Sequence, residues 1–223
     1  MIFCGNSFVK STRIARVVVQ FPNSIIWSPR VPTKVGFFAW EASWGKVLVL
    51  DQLKKRGWNL ANRCFLCCVE EESIDHILIH CTKARVLWEL LFAIFRVNWV
   101  LPLSVRDTLL GWRGFNMGKK RRKVWKAAPL CLFWAIWKER NRIAYENEEL
   151  SIHRLKISFV CNLWLWTKSV VNEGPLPLFS FVDWWGSRWG LVIFVSPLLL
   201  FVPFGASCIP SVCFWVSLKV PFF

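Results

Sequence analysis

The chain has 223 residues and a formal net charge of +15, from 29 Lys and Arg against 14 Asp and Glu. An apolar share of 55% with only 19% charged residues excludes a wholly disordered chain, because ample apolar surface is available to bury. With one tyrosine and no Asp-Asp pair, the sequence excludes a polymerase centre of the Tyr-x-Asp-Asp type. It contains no glycine-rich phosphate loop, and its few aspartates and histidines favour neither a two-metal nor a Ser-His-Asp centre. We therefore predict that the protein is not an enzyme.

The length is typical of one or two domains, and the composition divides the chain into four segments. They are 1–20, a truncated or poorly ordered segment; 21–100, which is rich in motifs; 101–189, a helical extension with a basic run; and 190–223, an apolar tail that is uncharged through residue 218. Helical periodicity predominates in the middle two segments, so the predicted fold is mainly α.

A helical pattern begins after Pro32. Val35, Phe38 and Ala42 recur at the spacing of one helix face, and proline is favoured at the start of a helix. The pattern predicts a helix of about 12 residues that buries this face.

A two-turn helix is predicted next, within residues 50–57. Asp51 is a plausible N-cap, and three cations in the last turn suit the negative end of the helix dipole. Gly57 suits the position after the last turn, where a left-handed backbone is common. This helix leads into a loop that carries Cys64.

A longer amphipathic pattern follows three consecutive glutamates, residues 70–72, which suit a helix N-terminus because it favours negative charge. Ser73 is the predicted N-cap, and a break in the helix is predicted near Thr82. The apolar positions of the pattern are Ile74, Ile77, Leu78, Val86, Leu87, Leu90, Leu91 and Phe95.

A basic run opens the helical part of the third segment. Its six cations are Lys119, Lys120, Arg121, Arg122, Lys123 and Lys126. The run is either a contact for nucleic acid, or a solvated helix face or nuclear localisation signal, because short basic runs are unspecific. Helical periodicity continues through 130–139, and the charged residues 138–142 are predicted to form a solvated helical end. One more helix is predicted over 151–171, with an apolar face formed by Leu155, Phe159, Leu163 and Trp166.

The tail is different in kind, since residues 189–218 contain no charged side chain. About 20 apolar residues suffice to span a bilayer, yet three prolines interrupt this stretch and are costly in a spanning helix. Two interpretations stay open, namely a membrane segment within 190–218 and an extension that does not belong to the compact domain.

Cysteine and histidine spacing predicts a metal site. Cys64, Cys67, His76 and Cys81 form the series C-x2-C-x8-H-x4-C, which joins two short-spaced pairs as zinc sites do. The N-terminus is a poor secretory signal, so paired thiols indicate metal ligands and not disulfides. Four protein ligands leave no open position for water, which indicates a structural and not a catalytic zinc ion.

Alternatives to this ligand set stay open. His80 lies one helical turn after His76 and could replace Cys81, and Cys68 could replace Cys67. A regular helix would place His76 and Cys81 about 140° apart, so the helix must end or distort before Cys81, for example at residues 79–80. The simplest competing interpretation is two buried thiols and a surface histidine with no metal.

The motifs together resemble a known family. The matching residues are Ile26-Trp27, 32–40, Asp51-Gln52-Leu53, Arg56-Gly57, 64–67, 72–76 and 81–88. In this pattern the sequence resembles the zinc-binding domain that follows the reverse transcriptase in plant LINE-type (non-LTR) retrotransposons. The resemblance covers about residues 21–100, and a weaker likeness through 133–141 extends it to about 189. The sequence departs from the family at Cys68, where a small or turn-forming residue such as glycine is common.

The resemblance implies a mainly helical, zinc-stapled domain that helps to hold template RNA or target DNA during reverse transcription. It implies a structural Zn²⁺ ion, a nucleic-acid partner and a location in the nucleus or cytoplasm. We expect the chain to be a remnant of the element's second reading frame, without polymerase or ribonuclease H residues. The competing hypothesis is a decayed or membrane-associated remnant with no selected activity. Most of the sixteen tryptophans are expected to be packing residues, and exposed ones could stack on unpaired bases.

Overall fold

The computed structural model describes residues 21–112, 117–146 and 148–171. These residues contain helices and no strand, which confirms the prediction of a mainly α fold. The helices in chain order are α1 (Asn23–Ile26), α2 (Thr33–Ser43), α3 (Leu50–Lys55), α4 (Thr82–Phe95), α5 (Val105–Gly111), α6 (Lys119–Glu146) and α7 (Ile152–Val171). A π-helical turn (His76–His80) directly precedes α4. The predicted segment 1–20 and the tail 190–223 lie outside the described residues, and no described helix is both long and apolar enough to cross a bilayer.

Helix α2 begins directly after Pro32, as its sequence pattern predicts. Its inner face buries Val35, Phe38 and Ala42, with Phe38 packed against two tryptophan rings of α6. Gly36 also lies on this side, where a Cβ atom would meet the carbonyl oxygen of Ile26 at 3.0 Å. The close approach of α1 to α2 therefore requires glycine at this position.

Helix α3 begins at Leu50, two residues before the start that a cap at Asp51 implies, so the proposed N-cap at Asp51 is wrong. Val49 is the residue before the helix, and the carboxylate of Glu72 accepts a hydrogen bond from the backbone N–H of Leu50 at 3.1 Å. A side chain from another part of the chain therefore caps α3. Asp51 lies in the first turn, where its carboxylate pairs with Lys55 at 3.0 Å.

The predicted break near Thr82 separates the π turn from α4. Ser73 caps the start of this helical region, since its Oγ accepts a hydrogen bond from the backbone N–H of His76 at 3.1 Å. Helix α4 then buries one apolar stripe at helical spacing. The stripe consists of Ala84, Leu87, Trp88, Leu91 and Phe95.

Helix α6 is the central element, and it packs against α1, α2, α4, α7 and the π turn. The prediction that residues 138–142 form a solvated helical end is wrong, because Glu139, Arg140 and Arg142 are buried. Buried charges need partners, and each of these has one. Arg140 pairs with Glu72, while Arg142 pairs with Glu139 at 2.5 Å. The segments on either side of residue 100 are thus joined through one helix.

Helix α7 packs along α6 and follows the prediction over 151–171 closely. Leu155, Phe159 and Leu163 are buried, whereas Trp166 is only half-buried. Thr167 takes the next buried position, with its hydroxyl donating to the carbonyl oxygen of Leu163 at 2.6 Å. The hydroxyl is therefore satisfied within its own helix.

A proline inside α6 is accommodated by a tryptophan from outside the helix. Pro129 has no N–H to donate to the carbonyl of Trp125, its partner in a regular α-helix. The indole Nε1–H of Trp112 donates to this carbonyl oxygen at 2.9 Å, and the two tryptophan rings stack with centroids 4.2 Å apart. Trp112 therefore supplies the donor that the proline lacks.

We predict that Trp112→Phe destabilises the fold by about 1–3 kcal/mol, because it leaves a buried carbonyl without this donor. In a Pro129→Ala background, where the helical N–H is restored, the same change should cost about 1 kcal/mol less. Chemical denaturation of the four chains of this double-mutant cycle measures the difference. Equal costs in both backgrounds would show that the indole hydrogen bond does not compensate for the proline.

Candidate metal centre

The four predicted ligands lie together. The ligand atoms of Cys64, Cys67, His76 and Cys81 are all within 4.8 Å of one another, and Cys67 Sγ is 3.4 Å from His76 Nε2. In a tetrahedral zinc site with Zn–S of about 2.3 Å and Zn–N of about 2.0 Å, neighbouring ligand atoms are about 3.5–3.8 Å apart. Three thiolates and one imidazole at these separations fit a closed zinc site.

The first ligand pair is presented by a tight turn over residues 64–68. The backbone N–H of Cys68 donates to the carbonyl oxygen of Cys64 at 2.8 Å. The N–H of Cys64 donates to the backbone carbonyl oxygen of Glu70, also at 2.8 Å. Cys68 has a φ of +56°, the left-handed conformation that favours glycine. The left-handed backbone gives a physical reason for the glycine that the resemblance implies at this position. Cys68 is exposed and lies outside the four-residue group.

The second ligand pair is presented by the π turn. Its closing hydrogen bond runs from Cys81 N–H to the carbonyl oxygen of His76 at 2.7 Å, a separation of five residues. The wider turn brings together side chains that a regular α-helix would place about 140° apart. Trp88 Nε1–H donates to the carbonyl oxygen of Leu78 at 2.8 Å and so satisfies a carbonyl of the turn. The predicted distortion before Cys81 is therefore a π-helical turn.

His80, the alternative ligand, faces a different neighbour. Its Nε2 atom lies 2.8 Å from the carbonyl oxygen of Leu103, and it is not part of the metal-binding group. Directly before the turn, the carboxylate of Asp75 accepts a hydrogen bond from Val105 N–H at 2.7 Å. His76 and Cys81 thus face the metal site, whereas Asp75 and His80 hold the segment at the start of α5.

The pKa shifts of His76 and Cys81 favour the protonation states that bind a metal ion, whereas the shift of Cys64 favours the protonated thiol. Burial lowers the pKa of His76, which favours the neutral imidazole that coordinates metals. A hydrogen bond from Cys64 lowers the pKa of Cys81, and the same bond together with burial raises the pKa of Cys64. Of these two thiols, Cys81 is therefore the one that ionises more readily, and a bound cation would favour the ionised form of both.

Glu72 connects the metal centre to the rest of the fold. It is fully buried and forms a two-point pair with Arg140, at 2.6 Å to Nη2 and 3.2 Å to Nε. The same carboxylate accepts hydrogen bonds from the backbone N–H groups of Leu50, at 3.1 Å, and Phe65, at 3.4 Å. The guanidinium of Arg140 also lies 4.8 Å above the Phe65 ring. One ion pair therefore joins the cysteine turn, α3 and α6.

Sequence reasoning missed this pair and assigned residues 70–72 only to a helix N-terminus. The sole signal for Arg140 was its place in segment 133–141, which carries the weaker family likeness. Nothing local connects two residues that are 68 positions apart.

The predicted nucleic-acid residues lie at the start of α6. Four of the six are exposed, and the fifth, Arg121, is half-buried and donates to the carbonyl oxygen of Phe95 at 2.8 Å. The side chain of Lys120 lies outside the described part of the chain. The four exposed cations are Lys119, Arg122, Lys123 and Lys126.

Comparison with known proteins identifies the segment that holds the metal centre. Residues 6–88 match the family of zinc-binding domains in reverse transcriptases, and this match contains all four cysteine and histidine ligands. No match was found among curated proteins or among solved structures. The resemblance to a reverse-transcriptase zinc-binding domain is confirmed, and so is the prediction of zinc as cofactor.

We predict one zinc ion per chain, lost in Cys64→Ser because the tetrahedral set is then incomplete. Cys68→Ser is the matched control, since Cys68 neighbours the ligands but lies outside their group. Native mass spectrometry of the full chain measures the stoichiometry, and amide exchange should show protection lost over 64–81 only in Cys64→Ser. Zinc retained in Cys64→Ser, or lost in Cys68→Ser, would contradict the assignment.

We predict that Glu72→Gln destabilises the fold by about 3–5 kcal/mol, because it leaves the Arg140 guanidinium buried without a counter-charge. Glu71→Gln, a change at the exposed neighbouring glutamate, should alter stability by no more than about 0.5 kcal/mol. Combining Glu72→Gln with Arg140→Met should recover part of the loss. Denaturant unfolding measures all three, and equal effects at positions 71 and 72 would refute the coupling role.

Proposed function

We propose that this chain, whose residues 6–88 match reverse-transcriptase zinc-binding domains, is a non-catalytic module that binds RNA or DNA through the start of α6. Zinc serves in this proposal to fix the fold, and the contacts with nucleic acid come from cationic side chains. In a parent reverse transcriptase of the LINE type, such a module would hold the template or target near the polymerase.

The exposed cations of α6 carry the proposal. Lys119, Arg122, Lys123 and Lys126 recur at the i, i+3, i+4, i+7 spacing, which places them on one face of the helix. Val124 on the inner side is buried. A row of cations at this spacing can contact consecutive phosphates of a nucleic-acid backbone.

The position of these cations lowers the stability of α6 in the free protein. The first turn of α6 contains no acidic residue, and cations there oppose the positive end of the helix dipole. Lys119 with Lys123, and Arg122 with Lys126, are like-charged pairs four residues apart, which also destabilise a helix. Bound phosphates would reverse both effects, so the arrangement is better suited to a complex with an anion than to the free protein.

The metal centre supports a non-catalytic role. All four positions of a tetrahedral zinc ion would be filled by protein ligands, so no position is open for water or substrate. The sequence offers no polymerase centre of the Tyr-x-Asp-Asp type either. Both observations favour binding over chemistry.

The test is the salt dependence of binding to a labelled 20-base-pair DNA duplex. Replacing Lys119, Lys123 and Lys126 with Gln should reduce the slope of log K against log salt by about 2.7, since each phosphate contact contributes about 0.9. The matched control replaces Lys46, Arg85 and Lys156, exposed cations of other elements, and leaves the same net charge. Fluorescence anisotropy between 50 and 200 mM salt measures the slope.

Equal slopes for the two triple variants would show that net charge alone drives binding and that α6 is not the contact. Absence of binding by the wild-type chain would refute the proposed function altogether.

A further inference from the structure

We infer that the loop over residues 56–63 is a second nucleic-acid contact, in which the Trp58 ring stacks on an unpaired base. The inference rests on the proposed function and narrows it to a substrate that contains single-stranded RNA or DNA. Three properties of the loop carry it, namely the exposure of its tryptophan, its charge and its attachment to the metal centre.

Trp58 is the most exposed tryptophan in the described part of the chain, at 61%. Two of the less exposed indoles are already engaged: Trp44 stacks on Phe21 and lies under the Arg106 guanidinium at 4.9 Å. Trp27 packs edge-on against the Phe37 ring. A large aromatic ring held out into solvent can stack on a base, because every base presents a flat π-face.

The chain segment around Trp58 is cationic. Residues 52–69 contain no acidic side chain and four cations, which are Lys54, Lys55, Arg56 and Arg63. Lys55 pairs with Asp51 at 3.0 Å, while the other three are exposed. An exposed ring among cations has the chemistry that recognises a base and its phosphates together.

Both ends of the loop are fixed. At its start Gly57 has a φ of +91°, and its backbone N–H donates to the carbonyl oxygen of Lys54 at 3.0 Å. The N–H of Trp58 donates to the carbonyl oxygen of Leu53 at 3.2 Å. These two bonds form a Schellman motif, which ends α3 and turns the chain outward. At its end the Asn62 side-chain oxygen accepts from Glu72 N–H at 2.9 Å, two residues before the ligand Cys64.

The attachment of the loop at both ends favours its affinity for a nucleic-acid base. A loop that is already held in place loses little conformational entropy when a ligand binds, so stacking on its ring is not offset by ordering of the backbone. The same attachment predicts that zinc loss weakens the loop contact, although no ligand of the metal touches the nucleic acid.

The experiment compares binding of the full chain to a fluorescein-labelled 20-nucleotide single strand, as RNA and as DNA, and to the matching duplex. Trp58→Ala should weaken single-strand binding at least about fivefold and leave duplex affinity and the salt slope unchanged. Trp58→Phe, which retains an aromatic ring, should bind nearly as well as the wild type. Tyr145→Ala, at another exposed aromatic residue, is the control and should have no effect.

A second measurement uses the unaltered protein, so that it does not depend on how a variant folds. Trypsin cleavage after Arg56 and Arg63 releases a single peptide, residues 57–63, that contains Trp58. Ultraviolet crosslinking of the wild-type chain to single-stranded oligo(U), followed by mass spectrometry, should place a crosslink on this peptide.

Equal single-strand affinity of Trp58→Ala and wild type, or an equal loss toward the duplex, would overturn this inference and leave the proposed function intact. Absence of a crosslink on residues 57–63 would overturn it as well. If the wild-type chain binds neither single strand nor duplex, both the inference and the proposed function fail.

Discussion

The buried ion pair between Glu72 and Arg140 is the interaction on which the described structure depends. Both charges are removed from water, and desolvating two ions is costly unless each is well paired and hydrogen-bonded. Here the Glu72 carboxylate also accepts hydrogen bonds from two backbone N–H groups, one at the start of α3 and one in the cysteine turn. The pair therefore holds the loop that carries Cys64 and Cys67 against α6. Loss of this pair would weaken the attachment of α3, the cysteine turn and α6 together, whereas loss of a helix cap or a surface ion pair affects one element.

The metal centre depends on backbone geometry as much as on ligand chemistry. The cysteine turn passes through a left-handed residue, and the His76–Cys81 pair needs a π turn to bring its two side chains together. Both conformations are less favourable than a regular helix or turn. A structural zinc ion contributes on the order of 10–16 kcal/mol in small finger peptides, which far exceeds such local costs. The ion thus stabilises the two turns that position its own ligands.

Helix α6 uses its charges in opposite ways at its two ends. Near its C-terminus, Arg140 and Arg142 are buried and paired with carboxylates, so they serve the fold. At its N-terminus four cations are exposed, and no acidic residue lies in the first turn. These charges oppose the helix dipole and repel one another, which gives the fold no benefit. This contrast is the physical reason to assign the first group to stability and the second to recognition.

Local sequence patterns predicted a four-residue ligand series, with His80 and Cys68 as open alternatives. They also predicted a distorted helix before Cys81, the glycine after α3, and the apolar faces of α2 and α7. These features depend on residues a few positions apart, so helix geometry and zinc chemistry are sufficient to predict them. Three features became visible only in the folded chain: the burial of Arg140 against Glu72, the capping of α3 by Glu72 and the compensation of Pro129 by Trp112. Each of these joins groups from separate segments, and a charged or polar run looks solvated in the sequence until its distant partner is known. Local spacing therefore specified the metal site, and long-range pairing specified how that site is attached to the rest of the protein.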